Sequence, residues 1–377
     1  MKARRLAAVA RKEFLHILRD PRSLLMALGV PFVQLLLFGY ALTLDVDRIP
    51  TLIHDADQTP QSRELIARFD GSRFFRIDGF VDDRDVIQEA LDREGALLGI
   101  VIPEDYSEQL LSGGTADVQF LINGSDSNTA SISLGYIESI MTTETLRLRA
   151  AEQDRRTGLE VPPPVEPRLR VLYNSELKSR NYIVPGLIAV ILMIIGSLLT
   201  SMTIAREWEM GTMEQVLSTP LRPSELALGK MLAYSAIGVA DVVFIVITAI
   251  FVFDIPFRGS VWLLAAGSGL FLIGALFTGI LVSAITRSQL LAYQASMLVS
   301  FLPAFLLSGF VFAIEAMPRP IQIFTHIVPA RYFVVILKGV FLKGVGLGVL
   351  FQEFLFLLLY ALLVFAVTVR KLRQKVA

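Results

Sequence analysis

Long uninterrupted apolar runs, separated by short charged segments, dominate this chain. A bilayer core is about 30 Å thick, so a crossing helix needs roughly 20 predominantly apolar residues. Six segments reach that length: Ser23 to Leu44, Ile183 to Ile204, Met231 to Phe253, Val261 to Ile285, Leu291 to Ala313 and Val349 to Val369. Between the first two lies a polar stretch, Asp45 to Tyr182, with no run long enough to cross. Short apolar segments in it (Thr51 to His54, Phe74 to Ile77, Ala96 to Ile102, Val118 to Ile122, Leu169 to Leu172) alternate with helical patterns at Ser62 to Phe69 and Asp85 to Arg93. That order predicts a small α/β domain. A helical pattern from Ser131 to Arg155 follows, and four prolines within Val161 to Pro167 predict an extended return linker. The predicted fold is a membrane all-α bundle of six transmembrane helices, with an α/β extracytoplasmic domain inserted between helices 1 and 2.

Charge gives the bundle an orientation. Lys and Arg concentrate in residues 1–22, around Arg206, Arg222 and Lys230, at Arg287, and in the tail from Arg370 to Lys375. By the positive-inside rule these segments are cytoplasmic, and six spans put both termini there. Residues 45–182 then fall on the opposite side. The arm at 1–22 has Ala7, Val9, Phe14, Leu15 and Leu18 among Arg11, Lys12 and Arg19, the pattern of an amphipathic helix lying along the membrane surface. Residues 314–348 are apolar but broken by Pro318, Pro320 and Pro329, which predicts a re-entrant or interfacial helix pair. The fourth span carries Gly267, Gly269, Gly274 and Gly279, a set that favours close helix packing.

Composition fits this pattern and narrows the chemistry. The 377 residues are 54% hydrophobic and only 19% charged, with a mean hydropathy of +0.59. Formal net charge is zero, so there is no basic field for nucleic acid. Without cysteine there is no disulfide, thiolate metal site or cysteine nucleophile. His16, His54 and His326 are far apart, no HExxH or GxSxG occurs, and the SxxK at Ser175 and Lys178 lacks its usual companion motifs. No catalytic residue and no metal site are expected. There is also no GxxxxGK[ST] loop; Gly229 and Lys230 are followed by Met231 and open a span. Any ATP that drives this protein must bind a partner. Asp241 is the one clear carboxylate inside a span, and with Phe301, Phe305 and Phe310 it is a candidate for the wall of a substrate path. Each has a plainer reading as a group satisfied or packed within the bundle.

The segment between the second and third spans, Arg206 to Tyr234, is short, charged and punctuated. Glu207, Glu209 and Glu214 alternate with Met210, Met213, Val216 and Leu217, predicting a short helix with an acidic and an apolar side. Thr219, Pro220 and Pro223 force a turn, and Ser224 is placed to N-cap a second helix. Such a projecting helix-turn-helix suits a groove on a partner.

The segment resembles the coupling-loop signature of type-2 ATP-binding-cassette exporter permeases, E-x-G-T-x-E-x-x-L-x-T-P-x-x-x-x-E-x-x-x-G-K. Here it is carried by Glu209, Gly211, Thr212, Glu214, Leu217, Thr219, Pro220, Glu225, Gly229 and Lys230. Lys12 to Leu25 is similar to that family's membrane-entry arm, and SGFVFAIEAMP with IVPARYF is similar to its re-entrant region. The large domain between the first two spans resembles the multidrug-exporter branch more than the polysaccharide branch.

The resemblance implies a bacterial inner-membrane permease that moves hydrophobic or amphipathic small molecules outward. It also implies a dimer with the same or a paralogous permease, and separate cytoplasmic ATPase subunits that bind ATP and Mg. The loop at 205–230, with Glu207, Glu209, Gly211, Thr212, Glu214, Leu217, Thr219 and Pro220, would be the coupling contact, and no cofactor would be held by this chain. Membrane lipid is a further expected partner, and a periplasmic adaptor a possible one. Two other readings share the same residues: a permease for a lipid, glycan or cell-envelope component, and a membrane scaffold or sensor.

Overall fold

The computed structural model describes residues 3–41, 47–157, 172–174 and 178–376. It divides into two compact units, Met1–Leu44 with Arg170–Ala377, and Asp45–Leu169. The chain begins with α1 (Ala3–Leu18) and α2 (Pro21–Ala41). One stripe of α1, Val9, Glu13 and Ile17, is buried, while Phe14, Leu15 and Leu18 are exposed. The i, i+4, i+8 spacing puts those three on one face. The stripe that fastens the arm to the bundle therefore shares only Val9 with the apolar side expected to lie along a surface, and has a carboxylate at its centre.

The second unit alternates strand and helix: β1 (Ile49–Asp55), α3 (Pro60–Asp70), β2 (Phe75–Phe80), α4 (Arg84–Asp92), β3 (Leu98–Ile102), α5 (Tyr106–Leu111), β4 (Gln119–Ile122) and α6 (Ser127–Thr157). The sheet order is β2-β1-β3-β4, with β1 parallel to both neighbours and β4 antiparallel to β3. Parallel neighbours need crossovers, which α3 and α4 supply. Thr59 caps α3, with Pro60 in its first turn, and Ser62 completes a capping box. The core joins Ile49, Ile53 and Ile100 of the sheet to Leu65 and Phe69 of α3 and Ile137 of α6. Gly99 is required by close approach, because a methyl there would overlap Ile87 of α4. Four of the five expected strands form. The fifth, at Leu169 to Leu172, lies largely outside the described residues, as do the proline linker and Ser175.

The chain then builds the rest of the helical unit: α7 (Arg180–Ser201), α8 (Thr203–Glu209), α9 (Thr212–Leu217), α10 (Pro223–Phe251), α11 (Val261–Thr286), α12 (Gln289–Leu306), α13 (Arg319–Thr325), α14 (Pro329–Lys338) and α15 (Leu347–Val376). Five of its stretches are long and apolar enough to cross a membrane: Arg180–Glu209, Pro223–Phe251, Val261–Thr286, Gln289–Leu306 and Leu347–Arg373. The apolar stretch described in α2, Ala27–Ala41, is shorter than a full crossing. The pair Arg319–Thr325 and Pro329–Lys343 would bring the number to six if taken as one broken span, but it bends by 80°. The break falls before Pro329, whose ring removes a backbone donor and disfavours helix in the residue before it.

Helix α7 is the axis of this unit. Residues 183–197 are buried on every side, as an all-round apolar helix must be when it sits at a bundle's centre. On α12 and α15, by contrast, only 22% of the apolar window is buried, leaving their outer faces to lipid or a partner. Three of the four glycines on α11 permit close contacts. A methyl at Gly279 would overlap the Ser197 carbonyl oxygen, one at Gly274 would come 3.0 Å from Tyr360, and one at Gly267 would come 3.0 Å from Ile336. Gly269 faces open space. The fifth expected span ends early, at Leu306 instead of Ala313, because the chain turns at Gly309 with φ of 78°.

Candidate functional site

The loop at 205–230 holds two short helices, α8 and α9, set on a buried ionic cluster. Lys230, in the second turn of α10, is 1% exposed, and its Nζ lies 2.9 Å from Glu13 Oε1 of α1 and 3.1 Å from Glu207 Oε1 of α8. It also donates to the Thr203 carbonyl at 3.4 Å. Lys12 Nζ completes the set at 3.0 Å from Glu207 Oε1 and 3.4 Å from Glu13 Oε1. Two ammonium and two carboxylate groups thus cancel in charge while joining three helices. Burial alone would raise the Glu13 carboxyl, but Lys230 and then Lys12 outweigh it and hold Glu13 below its ordinary value. Breaking such a buried set by removing one member costs about 3–5 kcal/mol, because the remaining charges stay desolvated.

The helices meet closely around this cluster. A methyl on Gly229 would come 2.7 Å from Val9 Cβ, so the side-chain-free position is what lets α1 cross α10 beside Lys230. Met213 of α9 is buried with Val9 and Leu226, forming an apolar pin on the same surface. The start of α10 differs from expectation. Ser224 lies inside the first turn and is not the cap. The cap position is Arg222, Pro223 takes the first helical position, and Glu225 Oε2 accepts the Arg222 backbone N–H at 3.2 Å. The proline fixes φ one residue before Ser224, moving the boundary N-terminally.

The eight loop residues divide by what they touch. Glu207 is buried and spent on the two lysines. Glu209 is exposed and accepts from the Gln289 backbone N–H at 2.8 Å and from its Nε2 at 2.6 Å, tying the loop to the start of α12. Gly211 has φ of 70° with open space beside it, so its backbone angle and not its size demands glycine. Thr212 Oγ1 donates to the Glu207 carbonyl at 3.3 Å, and Glu214 projects outward. Thr219 Oγ1 donates to the Val216 carbonyl at 2.6 Å, and the Pro220 carbonyl accepts from Arg5. The Leu217 side chain lies outside what is described. At the flank, Arg287 lies over the Trp208 ring at 4.6 Å.

Of the path candidates, the three phenylalanines pack on one another, and Asp241 stands in α10. Asp241 is fully buried in α10, and neither carboxyl oxygen has a hydrogen-bond partner among the described residues. Phe301, Phe305 and Phe310 form a row with centroid spacings of 5.3 and 5.9 Å. Phe310 fills the space over Gly186 of α7, which makes it a packing residue of the α7 contact.

Sequence reasoning names Lys230 only as part of the loop signature and does not single out Glu13, so their pairing is new with the structure. A signal was present, since a carboxylate at 13 stands between Val9 and Ile17 on one helical stripe, and a lysine opens an otherwise apolar span. Opposite charges on two buried faces imply a pair.

Most of the signature residues of the loop have identifiable contacts in this geometry, and comparison with known proteins shows the family. A model of the ABC-2 family transporter proteins matches residues 21–370. The probable multidrug ABC transporter permease YbhS of Escherichia coli is 35% identical over 99% of this chain and 97% of its own length. The probable multidrug ABC transporter permease YbhR of the same organism is 30% identical over 93% of each chain. The inner membrane transport permease YhhJ, also from Escherichia coli, is 25% identical over 87% of this chain and 86% of its own. With the family match spanning most of the sequence and near full-length relatives at 30 and 35% identity, this chain belongs to the ABC-2 family of transporter proteins.

Proposed function

We propose that this protein is the permease subunit of an ATP-driven exporter that moves hydrophobic or amphipathic small molecules out across a bacterial inner membrane. Its termini and the α8–α9 loop face the cytoplasm. A separate ATPase binds ATP and Mg there, and two permeases form the membrane dimer. The observation that carries this reading is the division within the loop. Glu209 and Glu214 stand outward on two short helices, while Glu207 is locked to Lys12 and Lys230 beneath them. A force applied from outside to α8 and α9 is thereby handed to α1 and α10 instead of being lost in a flexible loop. The multidrug naming of YbhS and YbhR supports small, apolar cargo over a glycan.

The test is affinity purification of the permease from membranes in mild detergent, with co-purifying chains identified and ATP-dependent dye uptake measured in inside-out vesicles. Glu214→Arg should abolish ATPase recovery and ATP-dependent dye movement while the permease keeps its unfolding temperature, and Glu209→Arg, which also cuts the tie to Gln289, should abolish both as well. Unchanged recovery and unchanged transport in both variants would sink the coupling role.

A further inference from the structure

At the end of the bundle that carries α8 and α9, a cavity of about 280 Å³ opens between α1, α2, α7, α10 and α12. Its body is apolar, formed by Ile195, Leu198 and Leu199 of α7 with Ile237 of α10. That volume is close to the lower end of the roughly 300–1,000 Å³ typical of ligand pockets, which suits a slender ligand. Arg206 of α8, half-buried, also lines it.

The charge of Arg206 is not neutralised as that of its neighbour Lys230 is. Its Nε donates to Gln289 Oε1 at 3.3 Å and its Nη1 lies 3.0 Å from His16 Nε2, both neutral-type partners. Among the described residues it forms no ion pair with a carboxylate: Glu207 is turned to the lysines, and Glu209 is reached only through Gln289. Asp20 also lines the cavity but is engaged in an interaction of its own. A partly desolvated guanidinium with free donor capacity, lining a largely apolar slot, is complementary to an anion that carries a hydrocarbon tail.

We propose that this cavity binds a single-chain anionic amphiphile, with its carboxylate or phosphate head on Arg206 and its tail along Leu198, Leu199 and Ile237. The site is built by one permease chain and needs neither nucleotide nor ATPase. Its existence therefore stands apart from the exporter reading and is tested without it.

Full-length permease is placed in nanodiscs of zwitterionic phosphatidylcholine, and binding of radiolabelled dodecanoate and dodecanol is measured above the background of protein-free nanodiscs. Dodecanoate should bind at least about tenfold more tightly than dodecanol, the difference expected of charge-assisted hydrogen bonds. Arg206→Gln should erase that preference, and Arg206→Lys should keep part of it, since the charge remains but the fork is lost. Leu198→Trp, which fills the slot, should weaken both ligands. Equal binding of acid and alcohol by the unmodified protein overturns the proposal without reference to any variant. So does an acid preference that survives Arg206→Gln. Displacement of dodecanoate by phosphatidylglycerol at equal head concentration overturns the single-chain assignment in favour of a bilayer lipid.

Discussion

Helix α10 buries Lys230 and Asp241 eleven positions apart, and their surroundings differ completely. Lys230, at the loop end, is gripped by Glu13 and Glu207 and by a backbone carbonyl. Asp241, in the middle of the bundle, is equally buried, yet neither of its oxygens finds a donor among the described residues. A buried charge is tolerated where partners replace its water, and an unpartnered one costs free energy wherever it stays ionised. The contrast separates fastening from function. Lys230 holds three helices together, whereas Asp241 contributes nothing visible to holding the fold.

The sharpest way to break this comparison is Lys230→Met. It leaves Glu13 and Glu207 buried with only the exposed Lys12 to answer them, and should destabilise the permease by about 3–5 kcal/mol. Thermal unfolding in detergent should show the loss, together with release of α1 to proteolysis near its N-terminus. A variant as stable as the parent would mean that the cluster is not a fastener.

The next effect in size is steric. Gly279→Ala places a methyl against the Ser197 carbonyl, which is backbone and cannot swing away, so about 1–3 kcal/mol should be lost. The same change at Gly269, which faces open space, should be nearly silent in the same unfolding assay.

Protonation loosens the cluster more gently. Because Glu13 is held below its ordinary value of 4.5, the folded state binds fewer protons than the unfolded state in mild acid. Its contribution is fully present above that ordinary value and is lost as pH falls through the lower, folded value. Unfolding temperature measured against pH should drop below about pH 4.5. Glu13→Gln should flatten that part of the profile while lowering stability at neutral pH.

The smallest structural effect is expected at Asp241. Asp241→Asn keeps the shape and removes the charge, and should change unfolding free energy by less than about 1 kcal/mol, since no hydrogen bond is lost. A large loss of stability would show that Asp241 is fastened after all. A loss of dye efflux with unchanged stability would assign it to the transport path.

Much of this molecule is legible without coordinates. The runs that open at Ile183, Met231, Val261, Leu291 and Val349 each become a long helix, because apolar length is the property a bilayer selects. Strands β1 to β4 fall on the short apolar segments for an equally local reason. The loop between spans is marked by Gly211, Pro220 and Pro223, residues whose backbone constraints act on their own neighbours. The cap of α10 falls two residues before Ser224, at Arg222, because Ser224 and Pro223 compete for the same helix start and the proline's fixed φ decides it.

What the sequence alone determined is therefore everything governed by neighbours along the chain: which segments are helix or strand, where they turn, the apolar length of the spans, and the signature by which the family is recognised. The tertiary structure decided which of three similar carboxylates, Glu207, Glu209 and Glu214, is buried and which stand outward. It also decided that Glu13 and Lys230, 217 residues apart, form one pair, and that Arg206, which lines a largely apolar cavity, forms no ion pair with a carboxylate among the described residues. The physical reason is the same in each case. Local conformation is set by sterics within a few residues, whereas the state of a charge depends on which distant groups have displaced its water.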